Sequence, residues 1–362
     1  PGAAAGRARQ RLVLKATGGE LQDVGPEDCR RIVAEVWEAR DSRWVLQRLR
    51  ERPLHGDHAV AFRGLVVMHR VLQQGPREVV SEWPLPNPVL DGLAEHWGQV
   101  ARVAQAGSQA HHCAQVVEEY SMVLSAKQRL MCERDAGLGC FDGGLLYDRP
   151  APEPSESLQA LALLLGYGER LTPLALRLLA PPQECSQPAA LCVGGVAALL
   201  DEAWLLLCAS SLLVKHLLCQ VHAARQMEEA AQPSAPGGAD RPWLQLALHL
   251  LAAKPRFAGL HAAVCDCSGR CQQLQLAGRP ELGLRVPTVP QGLLNLFADL
   301  GELVQGQGFG MERKAAHSVC SLSSVPTTAA GTPRASEGGH GWEPSPRVRE
   351  ALATVDGLQR SA

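Results

Sequence analysis

The basic residues at the start of the chain could bind an anionic partner. Arg7, Arg9, Arg11 and Lys15 all precede Glu20, the first acidic residue. A cluster of this kind can lie on an anionic membrane, where each cation contributes about 1 kcal/mol close to the surface. The alternatives are an ordinary solvated tail and the remnant of an arginine-rich transit peptide. The charge pattern alone leaves these three interpretations open.

A second candidate site contains one histidine and three cysteines at helical spacing. His261 and Cys265 share one helix face, as do Cys267 and Cys271, so the four side chains could hold a soft metal such as zinc. Structural zinc sites, however, usually place their cysteine pairs on a turn, whereas a continuous helix is the simpler assignment here. We therefore expect thiols that lie partly in the core, and no metal site.

The sequence shows no pattern that is typical of catalysis. It has no nucleophile elbow, no His-Glu-x-x-His motif and no dinucleotide-binding fingerprint. The glycine-rich turn at 137–144 follows no predicted strand and lacks the lysine of a phosphate-binding loop. Asp201 and Glu202 are expected at the solvent edge of a helix or capping a neighbour, and His69 and His216 at satisfied core or boundary positions. We predict a protein that is not an enzyme and has no cofactor.

Composition favours a helical protein with a large core. The 362 residues are 46% hydrophobic but only 4% aromatic, and leucine and alanine dominate. A net charge of −2 argues against a nucleic-acid partner recognised by bulk electrostatics, so any anionic partner must meet a local basic patch. The 12 cysteines have no repeating spacing, which suits buried free thiols in a reducing compartment.

The pattern of residues 57–75 predicts a buried helix around which the other helices of the fold are arranged. Asp57 can cap its first free N–H groups, Gly75 is expected in the left-handed conformation at its end, and Pro76 prevents the helix from continuing. Apolar residues cover a wider part of the surface of this helix than the single stripe of an ordinary amphipathic helix. A helix of that kind is normally surrounded by other helices.

Further helices are predicted on both sides of the central one. They are expected to begin at Pro26 and to cover 44–50, 89–106, 111–133, 158–179, 191–229, 244–253 and 255–276. The longest apolar runs are shorter than the roughly 20 residues of a transmembrane helix, so we expect core helices and no membrane span. Residues 315–346 are rich in Ser, Thr, Pro, Gly and Ala and predict disorder.

Several motifs together resemble the ANTH domain of endocytic clathrin adaptors. Lys15-Ala16-Thr17 is similar to the segment on which that family opens, and residues 68–75, Met-His-Arg-Val-Leu-Gln-Gln-Gly, are similar to the end of its apolar helix. Trp97-Gly98 and the segment 120–145 resemble the branch that contains huntingtin-interacting proteins and their yeast counterpart. The apolar Pro-x-x-Pro run at 284–294 resembles the closing element of the fold.

The resemblance implies an all-α fold, a right-handed α-helical superhelix of the ANTH, ENTH and VHS type. It divides the chain into a basic N-terminal arm at 1–11, a helical domain at 12–310 and a disordered tail at 311–362. The likeness itself spans residues 12 to about 305, because the motifs lie on both sides of the central helix.

The family binds phosphatidylinositol bisphosphate through an early lysine and a second basic group downstream. Lys15 corresponds to the first position, whereas the second is replaced by the acidic segment 26–29, Pro-Glu-Asp-Cys, followed by Arg30 and Arg31. With Arg30 and Arg31 as substitutes for the second group and Arg11 from the basic start of the chain, we expect a headgroup site formed by Lys15, Arg30, Arg31 and Arg11. Several cations converging on one headgroup are what such binding requires physically.

The role implied by the resemblance is that of a peripheral membrane adaptor in clathrin-mediated endocytosis. Its partners would be phosphoinositide lipids, clathrin or other coat proteins, and actin-linking proteins, at coated pits and vesicles of the plasma membrane. The alternative is a helical scaffold that binds no lipid and takes a helix or peptide in a groove between its own helices. Glu27 and Asp28 favour the scaffold, and the cationic start of the chain favours the membrane.

Overall fold

The computed structural model describes residues 2–18, 26–76, 82–133, 153–179, 188–231, 241–274, 289–305, 349–350 and 352–355. Every regular element within these ranges is helical, as the sequence predicts. The elements are α1 Gly2–Thr17, α2 Pro26–Ala39, α3 Arg43–Arg50, α4 His58–Gln74, α5 Pro88–Val103, α6 Gln109–Glu133, α7 Pro154–Leu179, α8 Pro188–Ala231, α9 Pro242–Gln273, the 3-10 helix Gln291–Phe297 and α10 Ala298–Gln305.

The central helix α4 begins where the sequence predicts, but it ends differently. The Asp57 carboxylate accepts hydrogen bonds from the backbone N–H groups of Ala59 and Val60, at 2.8 and 3.2 Å. Gly75 is extended, with φ −76° and ψ 162°, so the prediction of a left-handed glycine is wrong. The reason is Pro76, because a proline disfavours helical and related conformations in the residue that precedes it.

Proline does not break the helix in the second half of the chain. Two helices were predicted on either side of residue 254, but α9 runs through Pro255 without interruption. Pro255 lies on the exposed side of α9, while Leu250 and Phe257 on its other side are completely buried. Packing of that apolar face outweighs the loss of one backbone hydrogen bond at the proline.

The helices pack against one another around one continuous core. α5 packs against α6, and α7, α8 and α9 pack against one another, while α4 contacts α1, α2, α6 and α8. Within α8 the stretch Gly194–Ala230 is long and apolar enough to cross a membrane, but 83% of its most apolar window is buried inside the protein. Burial of this extent is typical of a core helix.

The structure describes only part of the regions that were predicted at the two ends of the chain. α1 runs continuously across residue 11, so the basic arm and Lys15 lie on the same helix. Of the predicted tail at 311–362, the structure describes the helical residues 349–350 and 352–355. The glycine-rich turn at 137–144 and most of the Pro-x-x-Pro run lie outside the described residues. The division into three regions stays a prediction.

Candidate functional site

Three of the N-terminal cations form a stripe along the exposed side of α1. Arg7, Arg11 and Lys15 follow one another at intervals of four residues, which places them on one helix face, and all three are exposed. Leu14 lies beside the stripe and is also exposed. The opposite side of α1 is packed into the core, so this helix presents a fixed row of cations to solvent.

Lys15 connects the end of α1 to the start of α2. Its Nζ atom lies 2.8 Å from Oδ1 of Asp28. The Lys15 side chain is 66% exposed, whereas that of Asp28 is only 13% exposed, so the lysine covers the carboxylate from the solvent side. This contact brings the cationic stripe of α1 next to the first turns of α2, where Arg30 and Arg31 lie.

Arg30 and Arg31 both pair with Glu27 on the surface of α2. The distances to the Glu27 carboxylate are 3.4 Å from Arg30 Nη1 and 3.1 Å from Arg31 Nε. All three side chains are more than half exposed, at 65%, 57% and 57%. Together with Lys15 and Asp28 they place three positive and two negative charges on one open surface. We call Arg11, Lys15, Arg30 and Arg31 the cationic face.

Two further arginines lie near this face and have different roles. Arg52, just after α3, donates from Nε to the Thr17 hydroxyl at 2.9 Å and so adds a cation at the end of α1. Sequence reasoning missed Arg52, because nothing in the chain indicates that the end of α3 meets the end of α1. Arg9 pairs with Glu35 at 2.8 Å and lies over the ring of Trp44, so it ties α1 to the rest of the protein.

Comparison with known proteins identifies the first third of the chain. Residues 9–142 match the family model of the ANTH domain. This segment is ANTH-like, and the resemblance predicted from the sequence is confirmed. It contains the cationic face and all of α2 to α6. The predicted branch within the family stays a prediction.

Solved structures extend the similarity to the fold of most of the chain. The ENTH domain from epsin-2, solved in complex with phosphatidylinositol 4,5-bisphosphate, has a TM-score of 0.56 and 15% identity and covers 80% of this chain and 98% of its own. The endocytic adaptor complex AENTH has a TM-score of 0.52 and 17% identity, with 79% and 99% covered. No curated protein sequence matches. The predicted helical superhelix is confirmed.

A buried polar cluster joins the ANTH-like segment to the helices that follow it. Lys127 in α6 donates from Nζ to both carboxylate oxygens of Glu202 in α8. His69 in α4 lies between Tyr120 and Glu202, with Nδ1 2.9 Å from the tyrosine hydroxyl and Nε2 3.4 Å from Oε2 of Glu202. The prediction of a solvent-edge position is therefore wrong for Glu202, whose exposed fraction is 0%.

Charge states within this cluster follow from burial and pairing. Burial by itself raises the pKa of Glu202, but the nearby Lys127 ammonium and the hydrogen bonds from His69 and Lys127 outweigh it and lower that pKa to about 2. Burial lowers the pKa of His69 to about 4, although Glu202 opposes this shift. The neutral imidazole then donates from Nε2 to Glu202 and accepts the Tyr120 hydroxyl hydrogen at Nδ1. Asp201 is nearer the surface and pairs with Arg70 at 2.7 Å.

Of the residues considered for a metal, His261, Cys267 and Cys271 are buried, whereas Cys265 is partly exposed. His261 Nε2 lies 3.1 Å from the carbonyl oxygen of Pro290, which occupies one of its two ring nitrogens. Burial raises the pKa of Cys267 to about 12 and that of Cys271 to about 11, so neither is a thiolate near neutral pH. Among the described residues, no group of three or more His, Cys, Asp or Glu side chains could hold a metal ion.

We expect the free energy of unfolding to fall less steeply with decreasing pH in His69→Gln than in the unaltered protein. The folded-state pKa of His69, about 4, lies below its ordinary value of 6.5, so between those values the unfolded chain takes up a proton that the folded chain does not. Each such histidine lowers the free energy of unfolding by up to about 1.4 kcal/mol per pH unit as the pH falls. Burial also lowers the pKa of His222, to about 4, so part of the slope should remain.

Urea unfolding at several values between pH 6.5 and pH 5 measures this slope, in a window above the range in which most carboxylates titrate. His249→Gln is the control, because His249 is exposed on α9. An unchanged slope in His69→Gln would show that His69 is already protonated in the folded protein.

Proposed function

We propose that this chain is a peripheral membrane adaptor that binds phosphoinositide headgroups through the cationic face. The contact between Lys15 and Asp28 carries the proposal, because it places the α1 stripe beside Arg30 and Arg31 on one open surface. Cations converging from two helices are suited to a multiply charged phosphate group. The ENTH domain of similar fold that was solved with phosphatidylinositol 4,5-bisphosphate supports the same ligand class.

Glu27 and Asp28 set the affinity of such a site. They occupy the first turn of α2, where a helix dipole favours an anion, and they pair with three of the cations that a headgroup needs. Ion pairs between exposed side chains contribute only about 0–1 kcal/mol, so a headgroup can displace them at small cost. Their negative charges remain nearby, however, and repel the phosphates.

Two opposite substitutions test the site by vesicle co-sedimentation. Lys15→Glu is expected to weaken binding to vesicles containing phosphatidylinositol 4,5-bisphosphate by at least about tenfold, since it reverses a charge worth about 1 kcal/mol. The double change Glu27→Gln and Asp28→Asn should strengthen binding by about tenfold, because it removes two repulsive charges and frees three cations.

Lys254→Glu is the matched control, because Lys254 is an exposed lysine on α9, outside the ANTH-like segment. It carries the same change of charge and should leave binding unaltered. Weakening by Lys254→Glu as strong as that by Lys15→Glu would indicate attraction by net charge and not a headgroup site.

The alternative is a helical scaffold that binds proteins and no lipid. The pairing of Lys15, Arg30 and Arg31 with two acids favours it, since these cations are already neutralised in part. Equal sedimentation of the unaltered protein with and without the bisphosphate lipid would exclude the headgroup site and favour the scaffold. Clathrin or other coat proteins, actin-linking proteins and a location at plasma-membrane coated pits remain predictions from the family resemblance alone.

A further inference from the structure

One cysteine of α9 lies at the protein surface beside a buried histidine. Cys265 is only partly buried, whereas Cys267 and Cys271 on the same helix are completely buried. His261, one helical turn before Cys265, has an exposed fraction of 3%, and its Nδ1 atom lies 3.8 Å from the Cys265 sulfur. The pair therefore combines a thiol that solvent can reach with an imidazole that is held inside the protein.

The hydrogen bond on the other side of the ring fixes the tautomer of His261. Its Nε2 atom lies 3.1 Å from the carbonyl oxygen of Pro290. A carbonyl oxygen can only accept a hydrogen bond, so Nε2 must carry a hydrogen. In the neutral imidazole this leaves a lone pair on Nδ1, and Nδ1 is the atom that faces the Cys265 sulfur. A histidine oriented in this way can accept the proton of the neighbouring thiol.

An amide group on a different element makes a second contact with the same sulfur. Gln291, the first residue of the 3-10 helix, donates from Nε2 to the Cys265 sulfur at 3.7 Å. A hydrogen bond from an N–H donor favours the negatively charged form of its acceptor, and the thiolate is the nucleophilic form of cysteine. The sulfur thus has a proton acceptor on its own helix and a hydrogen-bond donor on the element that packs beside it.

We propose that Cys265 is a reactive thiol and a site of reversible modification by low-molecular-mass disulfides. Its thiol gives its proton to Nδ1 of His261, and the resulting thiolate attacks one sulfur of the disulfide. A new bond joins the Cys265 sulfur to that atom, while the bond within the disulfide breaks. The other half of the disulfide is reduced, leaves as a thiolate and takes up the proton from His261. An excess of the free thiol reverses the exchange.

The rate of modification at each cysteine of the full chain tests this proposal. Treatment with glutathione disulfide, followed by mass spectrometry of peptides, measures these rates. The rate at Cys265 should exceed those at Cys132 and Cys219 by at least about tenfold, although both of these residues are more exposed. Cys267 and Cys271 should stay unmodified while the protein is folded, because both are buried. A rate at Cys265 no higher than at the two exposed cysteines overturns the proposal.

Two substitutions measure what the neighbours of the sulfur contribute. His261→Gln removes the proton acceptor and should lower the rate at Cys265 by at least about tenfold. Gln291→Ala removes the amide donor and should lower that rate by about threefold. Gln272→Ala is the matched control for the second change, because Gln272 is an exposed glutamine on the same helix as Cys265, and it should leave the rate unchanged.

Opening of the protein would have the opposite effect on these rates. It would make Cys265 more accessible and would expose the two buried cysteines of α9 to the disulfide. A rate at Cys265 that is unchanged or higher in His261→Gln, with both buried cysteines still unmodified, therefore contradicts the proposal. If the buried cysteines react in that variant, Gln291→Ala decides, and a rate equal to that of Gln272→Ala overturns the proposal.

Discussion

Replacing Glu202 by alanine is expected to lower the free energy of unfolding by about 3–5 kcal/mol. The substitution leaves the Lys127 ammonium, whose side chain is 1% exposed, in the core without its carboxylate partner. It also removes the acceptor that faces Nε2 of His69. Removing one partner of a buried ion pair costs far more than the pair itself contributes, so this variant should be among the least stable that one substitution can produce.

Urea unfolding of Glu202→Ala and of Glu169→Ala compares the stability lost on breaking a buried ion pair with that lost on breaking an exposed one. Glu169 pairs with Arg256 at 2.6 Å, but its side chain is 52% exposed, so its removal should cost no more than about 1 kcal/mol. A double variant, Glu202→Leu with Lys127→Met, removes both charges and should recover most of the lost stability. Equal costs for Glu202→Ala and Glu169→Ala would contradict this account of the buried pair.

The cluster around Glu202 fixes where α8 packs on the ANTH-like segment. Its carboxylate meets Lys127 from α6 and His69 from α4, while Asp201 meets Arg70 at the edge of the same contact. A shift of α8 by one turn would separate the Glu202 carboxylate from the Lys127 ammonium inside the core and break the Asp201–Arg70 pair at its edge. Apolar packing alone would tolerate such a shift more easily, and we therefore infer that these polar contacts specify one register of α8.

Local patterns predicted the helices but not the partners of individual side chains. The cap at Asp57 and the burial of α4 follow from residues that are neighbours in the sequence. Glu202 and Lys127 lie 75 residues apart, and no periodic pattern relates them. For the same reason the cationic residues could be named from the sequence, whereas the pairing of Lys15 with Asp28 depends on how α2 folds back against α1.

Two wrong predictions involve prolines, and in each case an interaction outside the sequence rule decides the structure. At Pro255 it is tertiary packing, and at Gly75 it is the proline that follows. Pro255 was predicted to separate two helices, but burial of Phe257 and Leu250 holds α9 together across it. At Gly75 the prediction relied on the usual behaviour of glycine at helix ends and neglected the constraint that Pro76 places on the preceding residue. Both outcomes depend on the particular neighbours of one residue.

The contact between α4 and α8 leaves no space for a side chain at Gly195. A Cβ atom added there would lie 2.4 Å from Cζ of Phe62, which is closer than real atoms approach. The Phe62 ring is buried and packs against Tyr120, with 5.6 Å between ring centroids, so it has little room to move away. Gly195→Leu should therefore push α8 away from α4 and disturb the nearby Glu202 cluster.

We expect Gly195→Leu to lower the free energy of unfolding by about 3 kcal/mol, despite the better helix propensity of leucine. Gly259→Leu is the matched control, since a Cβ atom at Gly259 in α9 would meet nothing within 4 Å. That change should leave stability unaltered or raise it by up to about 1 kcal/mol. Urea unfolding of the two variants measures the difference, and equal stabilities would contradict the close approach of Gly195 to Phe62.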